Sequence, residues 1–225
     1  MIYAYGICEP AAAAPPPRPK GLGGATLRAL ESDGLAAVYS RHRSLSPRPS
    51  PRLILAHERV VEAIMARGPV LPLRFGTQLE DEERLEAVLH ERRNQLVRAL
   101  DRVRGHVELG LRLIPQRGSK LDLDQAKRSG RAYLLALAAD RRRADQAARD
   151  FHAPLAELAT ASLVRERPAP PAVLVAAYLV DADRVVDFRA RADELGADRK
   201  DLQVVVTGPW PPYNFATEQS HEGRS

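Results

Sequence analysis

His57-Glu58 opens like the helix of a zinc peptidase, in which two histidines one helical turn apart ligate the metal and the glutamate acts as base. The second histidine is missing, because position 61 is Val61. His57, Glu58 and Glu62 therefore read as a polar network on a helix surface or between domains, and no metal is expected. The six histidines are scattered, without a Cys–His or multi-carboxylate spacing that would close a site. Cys8 is the only cysteine. It lies on an expected strand with no base beside it, so it reads as a small buried filler and not as a nucleophile. No Gly-x-Ser-x-Gly elbow occurs. Gly21-Leu22-Gly23-Gly24 lacks the Lys-Ser/Thr of a phosphate loop and the spacing of a dinucleotide fingerprint, and it reads as a flexible loop. No catalytic residue, cofactor or enzymatic activity is expected.

Three features suit binding better than catalysis. Arg74 ends an apolar run before Gly76-Thr77. A guanidinium there can pair with an internal acid such as Glu58 or Glu62, or hold an external carboxylate bidentately. Arg141, Arg142 and Arg143, with Arg128, Arg131 and Arg149 around them, make one helical stretch basic. Three consecutive arginines spread over more than half a helix circumference, as a solvated face or as a surface for an acidic partner. The third feature is Gly208-Pro209-Trp210-Pro211-Pro212-Tyr213-Asn214-Phe215, which holds the only tryptophan of a chain with 5% aromatic residues. Prolines stiffen the backbone and cannot continue a central strand, while the rings bury large area. Trp210, Tyr213 and Phe215 read as an aromatic clamp, packed on its own fold or presented to a partner.

The elements that position these residues alternate. Strands are expected at Ile2 to Cys8, Leu35 to Ser40, Val70 to Phe75, Val107 to Ile114, Val173 to Val180 and Leu202 to Thr207. A helix is expected from Pro51 to about Arg67, closed by Gly68-Pro69. Another runs from Glu80 to about Val103, with acids early and arginines late as the macrodipole favours. A long helical region covers about Asp124 to Arg165, with a kink or break at Pro154. A last helix starts at Asp181 and is capped by Gly196. Ala11 to Lys20 and Ser44 to Pro51 are loops, and the tail from Ala216 to Ser225 is polar. The order implies an α+β protein of two domains, with a boundary near Gly105. Residues 1–104 form a small N-terminal α/β layer, and residues 105–225 a ferredoxin-like domain with a long helical region.

The whole chain bounds the alternatives. Its 225 residues carry a net charge of +5, from 34 basic and 29 acidic side chains well interspersed. That balance would suit nucleic acid, an anionic surface or an acidic protein, but a basic face with interleaved aromatics is lacking. No nucleic-acid partner is expected. No window reaches the apolar length of a membrane span. A lone cysteine and the lack of a signal-peptide pattern suit a reducing, cytoplasmic setting.

Several blocks, in order, carry a resemblance. They are Ile2-Tyr3-Ala4-Tyr5-Gly6-Ile7, His57 to Met65 running into Val70-Leu71-Pro72-Leu73-Arg74-Phe75-Gly76-Thr77, and Val107-Glu108-Leu109-Gly110-Leu111-Arg112. Ser129-Gly130-Arg131-Ala132-Tyr133-Leu134 and the Gly208 to Phe215 segment complete the set. With these the chain resembles the GvpL/GvpF family of gas vesicle proteins over nearly its full length. The resemblance implies two α+β domains, the C-terminal one a modified ferredoxin fold. It implies a gas vesicle location and an accessory role in assembly, with contacts to the small hydrophobic shell protein and to other accessory gas vesicle proteins. A purely structural role as a minor wall component is the alternative within the same family. No enzymatic activity or cofactor goes with it.

Overall fold

The computed structural model describes residues 1–13, 19–44, 48–116, 130–166 and 168–216; inside the long helix, the side chains of residues 130–133, 135–141 and 143–144 lie outside that description. The chain divides into two compact units. One is Met1–Val107 with the segment that begins at Trp210, and the other is Glu108–Pro209.

In the first unit, β1 (Ile2–Cys8) is buried along its whole length. It pairs antiparallel with β3 (Leu35–Arg41) on one side. On the other side it takes β4 (Val70–Pro72) and β5 (Gln78–Leu79). β2 (Leu27–Ser32) adds outside β3, giving the order β2-β3-β1-β4. The register of β1 slips between Ala4 and Gly6. A slip by one residue exchanges the faces of a strand. Tyr3, Tyr5 and then Cys8 accordingly share one core cluster. Cys8 is buried there, and burial, with Glu9 and Glu31 nearby, pushes its thiol up to about 12. The thiol stays protonated, as a core filler should. The helix α1 (Pro10–Ala13) follows β1. Helix α2 (Pro51–Met65) starts with Pro at its first position and with Ser50 Oγ accepting from Leu53 N. Its buried residues His57, Val60, Val61 and Ile64 repeat at helical spacing.

The expected helix from Glu80 to Val103 is two helices, α3 (Glu82–Glu91) and α4 (Arg93–Val103), parted at Arg92 with φ −106° and ψ 12°. The apolar period runs through the joint unchanged, and contacts from a distant turn flank it. Asp33 at the β2–β3 turn meets His90 Nδ1, and its carbonyl accepts from Arg93 Nε at 2.9 Å. Strand β2 was not expected. Its Leu, Arg, Ala and Glu are helix-favouring residues, and the missed signal is Asp33-Gly34, both at positive φ (51° and 78°), the turn that joins tight hairpins.

The second unit builds a four-stranded sheet in the order β7-β8-β6-β9. These strands are β6 (His106–Pro115), β7 (Ala161–Val164), β8 (Leu174–Asp181) and β9 (Leu202–Trp210). Helix α5 (Gly130–Ala156) lies in sequence between β6 and β7, and α6 (Val185–Ala197) between β8 and β9. The expected helix to Arg165 therefore stops at Ala156, two residues past Pro154, and Ala161–Val164 pairs with β8 instead. Its expected start at Asp124 lies outside the described residues. Gly196 is inside α6 and not its cap. A Cβ there would sit 3.1 Å from Val204 Cγ2, so the glycine permits close helix–strand approach. The last strand runs to Trp210, through Pro209. β9 is an edge strand, where an N–H that faces away from the sheet has no ladder bond to lose. Leu109, Leu111, Phe151, Tyr178 and Phe188 fill the core of this unit.

Candidate functional site

The densest polar chemistry of the first unit surrounds His57. The helical phase that buries Val60, Val61 and Ile64 also buries His57, which is 0% exposed. Its Nε2 is 2.9 Å from Leu73 O, and its Nδ1 2.9 Å from Tyr3 Oη. A carbonyl only accepts, so Nε2 carries the proton and Nδ1 receives one from Tyr3. Tyr3 Oη accepts in turn from Gly76 N at 2.9 Å. A second chain runs beside the first. Leu22 N donates to Tyr5 Oη at 2.8 Å, Tyr5 lies 2.9 Å from Ser40 Oγ, and Ser40 Oγ lies 2.8 Å from His42 Nε2. The His57 ring stacks on Tyr5 at 5.5 Å and meets the edge geometry of Phe75 at 5.9 Å.

Burial lowers the His57 pKa, with the Leu73 carbonyl opposing, so the ring is neutral at physiological pH. Burial pushes Tyr3 up to about 12 despite the Gly76 bond. Every polar atom of His57 and Tyr3 is used inside the protein, so this group works as a latch and not as a reagent. It holds one particular turn. Leu73 N donates to Tyr5 O at 2.9 Å, and Ala4 N donates to Thr77 O at 3.1 Å. The pairing on β1 is thus interrupted between β4 and β5, and Arg74 to Gly76 loops out. Phe75 packs back onto the core cluster. Arg74 stays exposed, its carbonyl closing the turn with Thr77 N at 3.1 Å. No ion pair joins Arg74 to Glu58 or Glu62 among the described residues.

The aromatic segment divides in two. Phe215 is 5% exposed and belongs to the core. Tyr213 Oη donates to Glu58 Oε1 at 2.9 Å. Burial holds the Glu58 carboxyl above its ordinary value, against the lowering effect of that hydrogen bond and with Glu62 adding to the rise. Tyr213 is raised by its burial and by the Glu58 charge. Backbone bonds from Tyr213 N to Pro211 O (2.8 Å) and from Phe215 N to Pro212 O (3.1 Å) fix the chain between them. Trp210, in contrast, is 42% exposed.

Arg141, Arg142 and Arg143 lie on α5, and Arg142 is exposed. The side chains of Arg131, Arg141 and Arg143, and all of Arg128 and Ser129, lie outside the described residues. Among the described residues no group of three or more His, Cys, Asp or Glu could hold a metal ion. None of their helices is long and apolar enough to cross a membrane. Sequence reasoning placed His57 in a polar network on a helix surface or between domains; the ring is instead fully enclosed in the first unit, with Tyr3 and Tyr5 as its partners. The signal for those partners was the i, i+2 spacing of Tyr3 and Tyr5 on one strand, which sets two hydroxyls side by side.

Residues 1–217 match the family described as gas vesicle synthesis protein GvpL/GvpF. Gas vesicle protein L of Streptomyces sp. (strain CB03234) is 31% identical over 258 aligned positions, covering 99% of this chain and 96% of its relative. Gas vesicle protein F2 of Halobacterium salinarum is 30% identical, covering 90% and 88%. The crystal structure of GvpF from Anabaena sp. PCC7120 superposes with a TM-score of 0.76 at 20% identity, covering 100% of this chain and 99% of that one. That of GvpF from Microcystis aeruginosa gives 0.75, also at 20%, covering 96% and 98%. These two likenesses show the α+β fold, with its two sheets.

Proposed function

The chain belongs to the GvpL/GvpF family and so takes part in gas vesicle formation; we propose that it does so as an accessory protein that binds the small hydrophobic shell protein and other accessory gas vesicle proteins. The observation that carries this reading is the divided aromatic segment. Tyr213 and Phe215 anchor it, the prolines stiffen it, and the exposed Trp210 is held at its start. A large ring fixed at low entropic cost is a typical binding anchor. Arg74, presented by the latched turn, and Arg141, Arg142 and Arg143 on α5 are separate candidate contacts for an acidic surface. An apolar, self-associating subunit gains from a soluble partner that covers its surface until it joins the wall. The site of action is the gas vesicle as it grows in the cytoplasm, with no membrane span and no nucleic acid involved. The ferredoxin-like domain expected at residues 105–225 is proposed for the unit Glu108–Pro209, supported by the strand–helix–strand–strand–helix–strand order and the arrangement β7-β8-β6-β9.

A pull-down with co-expressed shell protein tests the reading. Trp210→Ala, and separately Ala at Arg141, Arg142 and Arg143 together, should each lower the captured shell protein by about fivefold or more. Full retention by both variants, in folded form, removes these contacts from the account. Purified vesicles washed hard and probed for this chain decide between a transient factor, which is lost, and a wall component, which is retained.

A further inference from the structure

Beside the first turns of α2 lies a concavity of about 820 Å³. Its cationic lining is Lys20, Arg52 and Arg59, and its apolar lining includes Leu53 and Ala56. No acidic side chain lines it. All three cations are exposed, and none has an ion pair or a side-chain hydrogen bond among the described residues. Mixed-sign surfaces normally neutralise their charges locally, so three unpaired cations around one hollow are a feature in need of a partner. The glycine turn on the opposite wall is not a phosphate cradle. Most of its N–H groups are spent, leaving that of Gly23: Gly21 N bonds to Ala25 O, Leu22 N to Tyr5 Oη, Gly24 N to Gly21 O and Ala25 N to Leu22 O. At the start of α2, Leu53 N and Ile54 N both bond to Ser50, and Pro51 has no N–H, which leaves the N–H of Arg52. Two isolated N–H groups do not make a cradle, so recognition there falls chiefly to side chains.

We infer that this hollow receives an acidic amphipathic helix of a partner protein. Arg52 and Arg59 are two helical turns apart on one face of α2, about 10 Å along the axis. Between them on that face stand Ala56, which lines the hollow, and Leu55, 55% exposed outside its lining. The sequence of the face is cation, apolar, cation. Its complement is a helix with carboxylates one heptad apart and an apolar residue between them, laid into a groove. Arginine suits carboxylates through paired N–H donors, and leucine gives the apolar contact. No aromatic ring lines the hollow, so stacked bases have no platform. The inference rests on the reading that this chain acts by binding proteins, and it adds the chemistry of one such partner.

The test uses the full chain and a fluorescently labelled peptide with glutamates one heptad apart and leucines between them, read by anisotropy at low salt. Arg52→Glu and Arg59→Glu should each weaken binding by about tenfold. Leu55→Ala should weaken it by about threefold. Arg102→Glu, an equal change of net charge at an exposed position of α4, should leave it within about twofold. Equal binding by all four variants overturns the inference. So does equal binding of a glutamate peptide without leucines, or displacement by millimolar inorganic phosphate, since either would make the hollow a simple polyanion site. Trp210→Ala should leave peptide binding intact. Loss of shell-protein capture with normal peptide binding would support the site, and normal capture with no peptide binding would sink the site alone.

Discussion

Tyr3 and Tyr178 are both fully buried tyrosines on strands, and they do different work. Tyr3 Oη joins a histidine ring to a backbone amide of a looped-out turn. Its ring lies 5.0 Å from Tyr5, whose hydroxyl serves a second loop at Leu22. Tyr178 packs at 5.0 Å on Phe188, and its hydroxyl meets, among the described residues, only His152, which is half-buried. The first unit thus uses buried hydroxyls to fix the course of two loops. The second fills space with rings and aliphatic chains. Hydrogen-bonded cores specify geometry and fail when one atom is lost, whereas apolar cores fail when volume is lost.

The largest break in this contrast should come from volume. Phe188→Ala empties a fully buried ring position between α6 and the sheet. It should cost about 3–5 kcal/mol, read as lost hydrogen-exchange protection in β8. The amides of β1 should stay protected by comparison.

Deletion of one oxygen should reverse the order of the two units. Tyr3→Phe leaves His57 Nδ1 and Gly76 N without their partner. A cost of about 1–3 kcal/mol follows, because His57 Nδ1 is shut away from water. Tyr178→Phe should cost under about 1 kcal/mol, since the exposed part of His152 can turn to solvent. Urea melts of the two variants check this. Equal costs would mean that the latch is no more demanding than the apolar core.

Acidification acts on the same comparison. The His57 pKa is depressed by burial below its ordinary 6.5. Below that value the unfolded chain takes up a proton that the folded chain refuses, so stability falls as pH drops. The slope from this one group is at most about 1.4 kcal/mol per pH unit. His42 and His152 are also lowered by burial and act in the same direction. Glu58, raised in the fold, acts the other way, giving stability back as pH falls toward its ordinary 4.5. The His57 part is isolated by subtracting the melts of His57→Gln from those of the parent between pH 7 and about 5. A flat difference would refute a neutral, enclosed ring.

Much of this was legible in the chain because it was local. Ser50-Pro51, the run Ile2 to Cys8 and the alternation in Val107 to Ile114 each declare their element within a few residues. Strand β2 was missed because pairing and the Asp33-Gly34 turn override its helix-favouring composition. The α3–α4 joint was missed because nothing in its own apolar period marks it, and the contacts that flank it come from Asp33, far away in sequence. Strand β7 was lost inside a long Ala-rich pattern. In the candidate site, residue types were legible and partners were not. Nothing near Glu58 announces Tyr213, which lies 155 residues away. The spacing of His57 with Val60, Val61 and Ile64 announces an inward phase on α2, but nothing near it announces Leu73 O as the acceptor for its ring.

The smallest expected effect separates binding from folding within one segment. Phe215 is enclosed and Tyr213 satisfies a half-buried carboxylate, so both belong to the fold. Trp210 is 42% exposed at the end of an edge strand. Surface positions of that kind usually move stability by less than about 0.5 kcal/mol. Trp210→Ala should therefore melt like the parent, while Tyr213→Phe should melt lower, by about 1 kcal/mol, through the lost bond to Glu58. If Trp210→Ala melts well below the parent, its ring holds the fold together and the exposed anchor is lost from the binding account. If it melts normally and still captures less shell protein, the ring is spent on a partner, which is the only way an exposed side chain on a stiff segment can carry energy the fold does not use.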